Sequence, residues 1–166
     1  EYFSKSGHRH DYKSNQMEVF YLPKKSLVLR KAMVGTFMDR LLYMAAVGQI
    51  GNLIDSHLSR YVYSARYNSD SLKAGLIVQG VEQWTKMNYL ISDWVIENQN
   101  GCLVKLDLLN YYDTINKNTL VRLLNEIAVT DNDKACIRLL ETLLRGFSDS
   151  EINHGIPQNS DASSLL

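Results

Sequence analysis

The chain has 166 residues, of which 45% are hydrophobic and only two are proline, so it is predicted to fold rather than to be intrinsically disordered. Lys plus Arg and Asp plus Glu both number 18, and this balance excludes a global positive field that would attract nucleic acid. Any basic surface must therefore be local. No apolar run approaches the roughly 18 residues of a membrane span and no signal peptide begins the sequence, so we expect a cytoplasmic protein with no membrane partner.

The cysteine and histidine patterns do not indicate a metal site. Cys102 and Cys136 lie in apolar periodic segments and lack the spacing that binds zinc, so both are expected to be packed thiols in a reducing compartment. A His-Arg-His cluster at 8–10 is followed by no third or fourth ligand at a useful spacing. We interpret residues 1–16 as a solvated polar arm.

The first regular elements are predicted to be a hairpin and two helices. Met17–Leu22 and Leu27–Val34 are rich in β-branched and aromatic residues and are joined by Pro-Lys-Lys-Ser, which predicts a β-hairpin. Apolar residues then recur at helical spacing over Thr36–Leu58, with Thr36 able to cap the start. A second helix is predicted over Ser71–Ile96. Its buried stripe would comprise Leu72, Leu76, Ile77, Val81, Trp84, Met87 and Ile91.

The second half of the chain is predicted to begin with a strand. Polar and apolar residues alternate over Cys102–Leu108, which predicts a strand with one buried face and places Asp107 at its end, beside a turn. Further elements follow in this order: helices at Asn118–Ala128 and Asp133–Gly146, a short edge strand at Glu151–Gly155, and a helix capped within Ser160–Ser164. The pattern as a whole predicts an α+β fold.

Two segments of this second half resemble motifs of reverse transcriptases. CLVKLDLLNYYDTI at Cys102–Ile115 is similar to the family segment in which a metal-binding Asp ends a strand, two aromatic residues follow in the turn, and a second Asp precedes a helix. GIPQNSDASSLL at Gly155–Leu166 is similar to the Pro-Gln-Gly segment, which leads into a palm helix with a Ser-Pro pair. Here Asn159 replaces the glycine, and Ser163-Ser164 replaces Ser-Pro.

Two upstream segments extend the resemblance in family order. LPKKSLVLRKAMVGTFMDR at Leu22–Arg40 is similar to the fingers pattern of bacterial and group II intron-type reverse transcriptases, with Lys24, Arg30 and Arg40 at the pattern's intervals. YVYSARYNSDSLKA at Tyr61–Ala74 is similar to the block that follows. The altered segment, in which Asn159 follows Gln158, is similar to that of divergent reverse transcriptases of abortive-infection and antiphage-defence systems. An antiviral defence role is therefore a hypothesis.

The resemblance implies the fingers and partial palm of a right-hand polymerase, helix-rich with a fingers hairpin and a small antiparallel palm sheet. Residues 1–16 would be the arm, 17–101 the fingers, and 102–166 a partial palm that stops before the family's Tyr-x-Asp-Asp segment. The implied activity is RNA-directed DNA polymerisation, with deoxynucleoside triphosphates, an RNA template and a DNA primer or product as partners. Two Mg²⁺ ions would serve the complete enzyme. We expect this chain alone to be inactive and to need the remainder of the palm and the thumb.

The resemblance assigns roles to six residues. Asp107 would be the catalytic metal ligand, and the Leu108 carbonyl would add an oxygen of the kind that Mg²⁺ prefers. The remaining roles concern the nucleotide: Lys24 and Arg30 would hold the triphosphate, Tyr112 would lie beneath the sugar and exclude a 2′-hydroxyl, and Gln158 would contact the nascent base pair or sugar.

Each residue also has a simpler interpretation. Asp107 could be a turn or helix cap, Lys24 and Arg30 a solvated strand pair, Tyr112 a core aromatic, and Gln158 a turn residue that satisfies a backbone group. For Tyr111 the core role is the better one, and Asp113 is predicted to be the N-cap of the following helix. Two other functions stay open: a catalytically silent reverse-transcriptase-like module that binds nucleic acid or protein, and a helical interaction domain.

Overall fold

The computed structural model describes residues 12–23, 29–70, 72–147, 153–158 and 160–166, except for the side chain of Arg30. These residues form a helix-rich α+β fold with one small antiparallel sheet, which agrees with the predicted class. In chain order the elements are β1 (Glu18–Pro23), β2 (Leu29–Val34), α1 (Phe37–His57), α2 (Gly80–Glu97), α3 (Tyr111–Thr114), α4 (Lys117–Ile127), α5 (Asp131–Gly146) and α6 (Asp161–Leu165). No helix among them is long and apolar enough to cross a membrane.

The predicted hairpin is confirmed by the pairing of β1 with β2. The strands are antiparallel, with Glu18 opposite Val34 at one end and Pro23 opposite Leu29 at the other. Every β1 side chain is exposed, whereas Ala32 in β2 is buried. The hairpin is therefore a ribbon with little core of its own.

The core forms where α1 packs against α4, α5 and α6. Thr36 accepts a hydrogen bond from the Asp39 N–H and so caps α1, as predicted. Tyr43 and Val47 are buried on α1, and the Tyr43 ring meets the edge of Phe147 with the ring centres 5.5 Å apart. The residues of α5 that complete this core are Cys136, Ile137, Leu140, Leu143 and Leu144.

The described part of the predicted polar arm is attached to α1 at two residues. Tyr12 donates a hydrogen bond to the buried carboxylate of Asp39 at 2.7 Å, and Asn15 donates to it through its backbone and its side chain. Lys13, Asn15 and Gln16 are exposed, as in a solvated arm, whereas Tyr12 and Ser14 are half-buried. Met17, which follows the arm, is buried, and its N–H donates to the Phe147 carbonyl. The His-Arg-His cluster lies outside the described residues.

The second helix begins later than predicted, and its expected buried stripe is found only in part. Residues 72–79 form a loop whose Lys73 and Gly75 carbonyls accept hydrogen bonds from the Asn68 side chain, and the helix starts at Gly80. Leu72 is 94% exposed and Trp84 is 62% exposed, whereas the stripe residues Leu76, Ile77, Met87 and Ile91 are half-buried. None of the other described helices and strands packs against α2, so its apolar face is covered only by loop residues.

The predicted strand at Cys102–Leu108 is also absent from the described structure. Residues 101–108 are irregular and exposed, and Leu106 is 88% exposed. A strand needs a neighbouring strand for its backbone hydrogen bonds, and the described sheet contains only β1 and β2. Cys102 is therefore exposed, contrary to prediction, whereas Cys136 is buried as expected.

Candidate functional site

A cleft of about 460 Å³ lies between the hairpin and the turn at 155–158. One wall comes from the hairpin and α1 and the other from the turn, and among the lining residues are Phe20, Leu22, Val34, Arg40, Pro157 and Gln158. Most of these side chains are apolar, and the charged residues of the lining are Arg40 and Asp161. The lining suits a ligand that has flat apolar groups and a negatively charged group that can reach Arg40.

The turn is held in place by its backbone. Gly155 has a φ of 90°, a conformation that glycine adopts without steric cost. Its N–H donates to the Ile115 carbonyl at 2.9 Å, and the Ile156 N–H donates to the Tyr112 carbonyl at 3.0 Å. Ile156 and Pro157 are buried. The turn is therefore fixed to α3, and it presents Gln158 to the cleft from a rigid base.

Tyr112 is half-buried in α3 and is connected to the cleft through this turn. Its hydroxyl lies 3.2 Å from the Ser164 Oγ, and its ring meets the Tyr111 ring edge-on with the centres 5.4 Å apart. Tyr112 is not among the residues that line the cleft. Tyr112 is thus joined to the turn that carries Gln158. The contact of the Tyr112 ring with a sugar stays a prediction.

Gln158 contacts Asp113, which corrects the predicted role of that aspartate. The Gln158 side-chain N–H donates to the Asp113 carboxylate at 3.4 Å. The N-cap of α4 is Asn116, whose side chain accepts from the Thr119 N–H. The cap moves to Asn116 because α3 includes Asp113 and ends only at Thr114.

Asp107 and Leu108 are not brought to the cleft lining. Both lie in the exposed 101–108 segment, so the expected position of Asp107 at a strand end is wrong for the described residues. Lys24 lies outside the described residues. Arg30 is in β2 opposite Leu22, which lines the cleft, but its side chain is not described.

The oxygen donors of Asp107 and Leu108 are of the type that Mg²⁺ prefers. However, no group of three or more His, Cys, Asp or Glu residues that could hold a metal is found in the part of the chain that the structure describes. These residues alone therefore form an incomplete ligand set. A metal site would need carboxylates from outside them.

Lys117 at the start of α4 is a buried lysine. Burial lowers its pKa, and the positive charge of Lys31 adds to this effect.

Sequence reasoning missed the contacts that fix α6. The hydroxyl of Tyr43 lies 3.0 Å from the Ser163 Oγ, and burial raises the pKa of Tyr43 far above its usual range. The neighbouring Ser164 contacts Tyr112 in the same way. The one feature of the sequence that could have indicated these contacts is that Ser163-Ser164 replaces the Ser-Pro pair of the family motif.

The structure thus brings the hairpin, Arg40 and Gln158 to one cleft and joins Tyr112 to the wall of that cleft. It does not bring Asp107 there. Comparisons with protein-family models, with curated proteins and with solved structures found no match to this chain.

Proposed function

We propose that the chain is the fingers and partial palm of an RNA-directed DNA polymerase. The observation that supports this most is the cleft itself. The fingers-like motif at Leu22–Arg40 and the Pro-Gln motif at Pro157–Gln158 were identified separately and lie far apart in the sequence, yet both line one cleft. A polymerase needs such a groove to hold its template, primer and nucleotide.

The cleft residues suit a nucleic-acid strand. The Arg40 guanidinium can donate hydrogen bonds to a phosphate, and the exposed Phe20 ring offers a surface on which a base can stack. The Gln158 amide is partly engaged by Asp113, whereas its carbonyl oxygen accepts no hydrogen bond from the described residues. That oxygen can accept from a base or a sugar hydroxyl.

The chemistry would require Asp107 together with carboxylates from outside the described residues. When Mg²⁺ is bound in a polymerase it activates the primer hydroxyl and stabilises the leaving phosphate. The activity would therefore belong to a protein that contains this chain together with the rest of a palm, and we call such a protein the parent protein. Deoxynucleoside triphosphates would be its substrates, and Tyr112 would exclude ribonucleotides.

Binding of nucleic acid tests the cleft without requiring catalysis. We expect the chain to bind an RNA–DNA primer–template duplex with an overhang, and Arg40→Ala to weaken binding about five- to tenfold, as loss of one charge-assisted phosphate contact of about 1–1.5 kcal/mol predicts. The slope of log affinity against log salt concentration should fall by about one. Fluorescence anisotropy at several salt concentrations measures both quantities.

Arg138→Ala is the matched control, because Arg138 is an exposed arginine of α5 that does not line the cleft. Equal losses for the two variants would contradict a specific role for the cleft. Binding by the parent protein without nucleotide incorporation would instead establish the catalytically silent module.

A further inference from the structure

Two adjacent serines of α6 each contact a tyrosine hydroxyl from another element. Ser163 contacts Tyr43 of α1 at 3.0 Å, and Ser164 contacts Tyr112 of α3 at 3.2 Å. Ser164 also donates a hydrogen bond to the Ser160 carbonyl at 3.1 Å. The contact between Ser164 and Ser160 bears on which hydroxyl donates in the pair formed by Ser164 and Tyr112.

The direction of the Tyr112 hydrogen bond is limited by the number of donors. A serine hydroxyl has one hydrogen, and a carbonyl oxygen can only accept. When Ser164 gives its hydrogen to Ser160, the Tyr112 hydroxyl donates to the Ser164 oxygen; the reverse direction would leave the Ser160 carbonyl without this hydrogen bond. In either direction the Tyr112 hydroxyl is bonded to a side chain held in the first turn of α6.

The Tyr112 ring is consequently restrained from three sides. Its backbone carbonyl accepts from the Ile156 N–H, its ring meets the edge of Tyr111, and its hydroxyl is hydrogen-bonded to Ser164. The first two contacts hold the backbone and one edge of the ring, and the ring also packs against the core. The Ser164 contact holds the hydroxyl at the far end of the side chain, where a small rotation produces the largest displacement.

We propose that Ser164 is a positioning residue for Tyr112 and that it sets how strictly the site excludes ribonucleotides. This inference rests on the proposed function, in which the Tyr112 ring lies beneath the incoming sugar. Steric exclusion of a 2′-hydroxyl requires that the Tyr112 ring stays in its position when the hydroxyl approaches it. A proline at this position would offer no hydroxyl, so the serine that departs from the family motif supplies the contact.

The test compares deoxynucleotide and ribonucleotide incorporation by the parent protein. Ser164→Ala should lower the ratio of kcat/KM for a deoxynucleotide to kcat/KM for the matching ribonucleotide about fivefold, as loss of one neutral hydrogen bond predicts. Tyr112→Phe should lower the ratio similarly, and the double variant should lower it no further, because both changes remove one interaction. Ser164→Thr, which keeps a hydroxyl, should restore the ratio.

Ser163→Ala is the matched control, since it removes the neighbouring contact to Tyr43. It should reduce thermal stability and leave the ratio unchanged. Equal ratios for Ser164→Ala and the unsubstituted protein, equal losses for the two serine variants, or additive effects in the double variant would overturn the positioning role. If the unsubstituted parent protein incorporates no nucleotide, the proposed function fails, and this inference fails with it.

Discussion

Asp107→Asn is expected to lower deoxynucleotide incorporation by the parent protein about a thousandfold. In the proposed function Asp107 would be a metal ligand, and asparagine keeps the shape of the side chain while removing its negative charge. Stabilisation of transition-state charge by a bound metal amounts to several kcal/mol, and each 1.4 kcal/mol corresponds to a factor of ten in rate. Primer extension under single-turnover conditions measures the loss.

The result needs a control for stability, because the 102–108 segment is exposed in this chain but is expected to pair with further strands in the parent protein. Urea unfolding of the parent protein with and without Asp107→Asn separates a loss of stability from a loss of chemistry. Asp93→Asn is the control, because Asp93 is an exposed carboxylate on α2 and has no assigned role. Incorporation that survives Asp107→Asn would remove the proposed catalytic role from this residue.

The elements predicted correctly are those in which local signals and a packing partner agree. Thr36 begins α1 with its side chain as the cap, and Thr130 with Asp133 forms a capping box at the start of α5. Both helices also have apolar faces, and these faces pack against each other. Caps and periodicity are local properties, so the sequence alone could place these helices to within a few residues.

Two of the failed predictions have a common physical cause. Periodicity identifies a face that can be buried, but burial requires a second surface. The apolar face of α2 and the alternating residues of Cys102–Leu108 have no such surface among the described elements. As part of the proposed function, we expect the 102–108 segment to pair with further palm strands in the parent protein. Slower amide hydrogen exchange there than in this chain would show the pairing.

The sequence could indicate which segments line the candidate site, but it could not indicate which side chains contact each other there. The resemblance placed the hairpin and the Gln158 turn in one site, and residues of both line one cleft. The bonds of Tyr12 to Asp39 and of Tyr112 to Ser164 join residues far apart in the sequence. A single sequence has no periodic or capping signal for such pairs, so only the folded structure could reveal them.

Asp39→Asn is expected to destabilise the chain by about 3 kcal/mol at neutral pH. Asp39 is fully buried, and its carboxylate accepts hydrogen bonds from Thr36, Tyr12 and Asn15. An amide has one acceptor oxygen in place of two, so at least one of these donors loses its partner inside the protein. Urea unfolding at pH 7 measures the change. Tyr12→Phe, which removes one donor, should cost about 1 kcal/mol.

The effect of Asp39→Asn should also depend on pH. Burial alone would raise the pKa of Asp39, but the hydrogen bonds from Thr36, Tyr12 and Asn15 together hold it below the usual 3.8. A carboxyl group with a lower pKa in the folded state stabilises the fold above its unfolded pKa and loses this contribution as the pH falls through the folded value. The stability difference between the two proteins should therefore be constant above about pH 5 and shrink below pH 3.8. A difference that stays constant to pH 2 would show that Asp39 does not bind its donors as a carboxylate, and the packing of Tyr12–Met17 on α1 would then need another explanation.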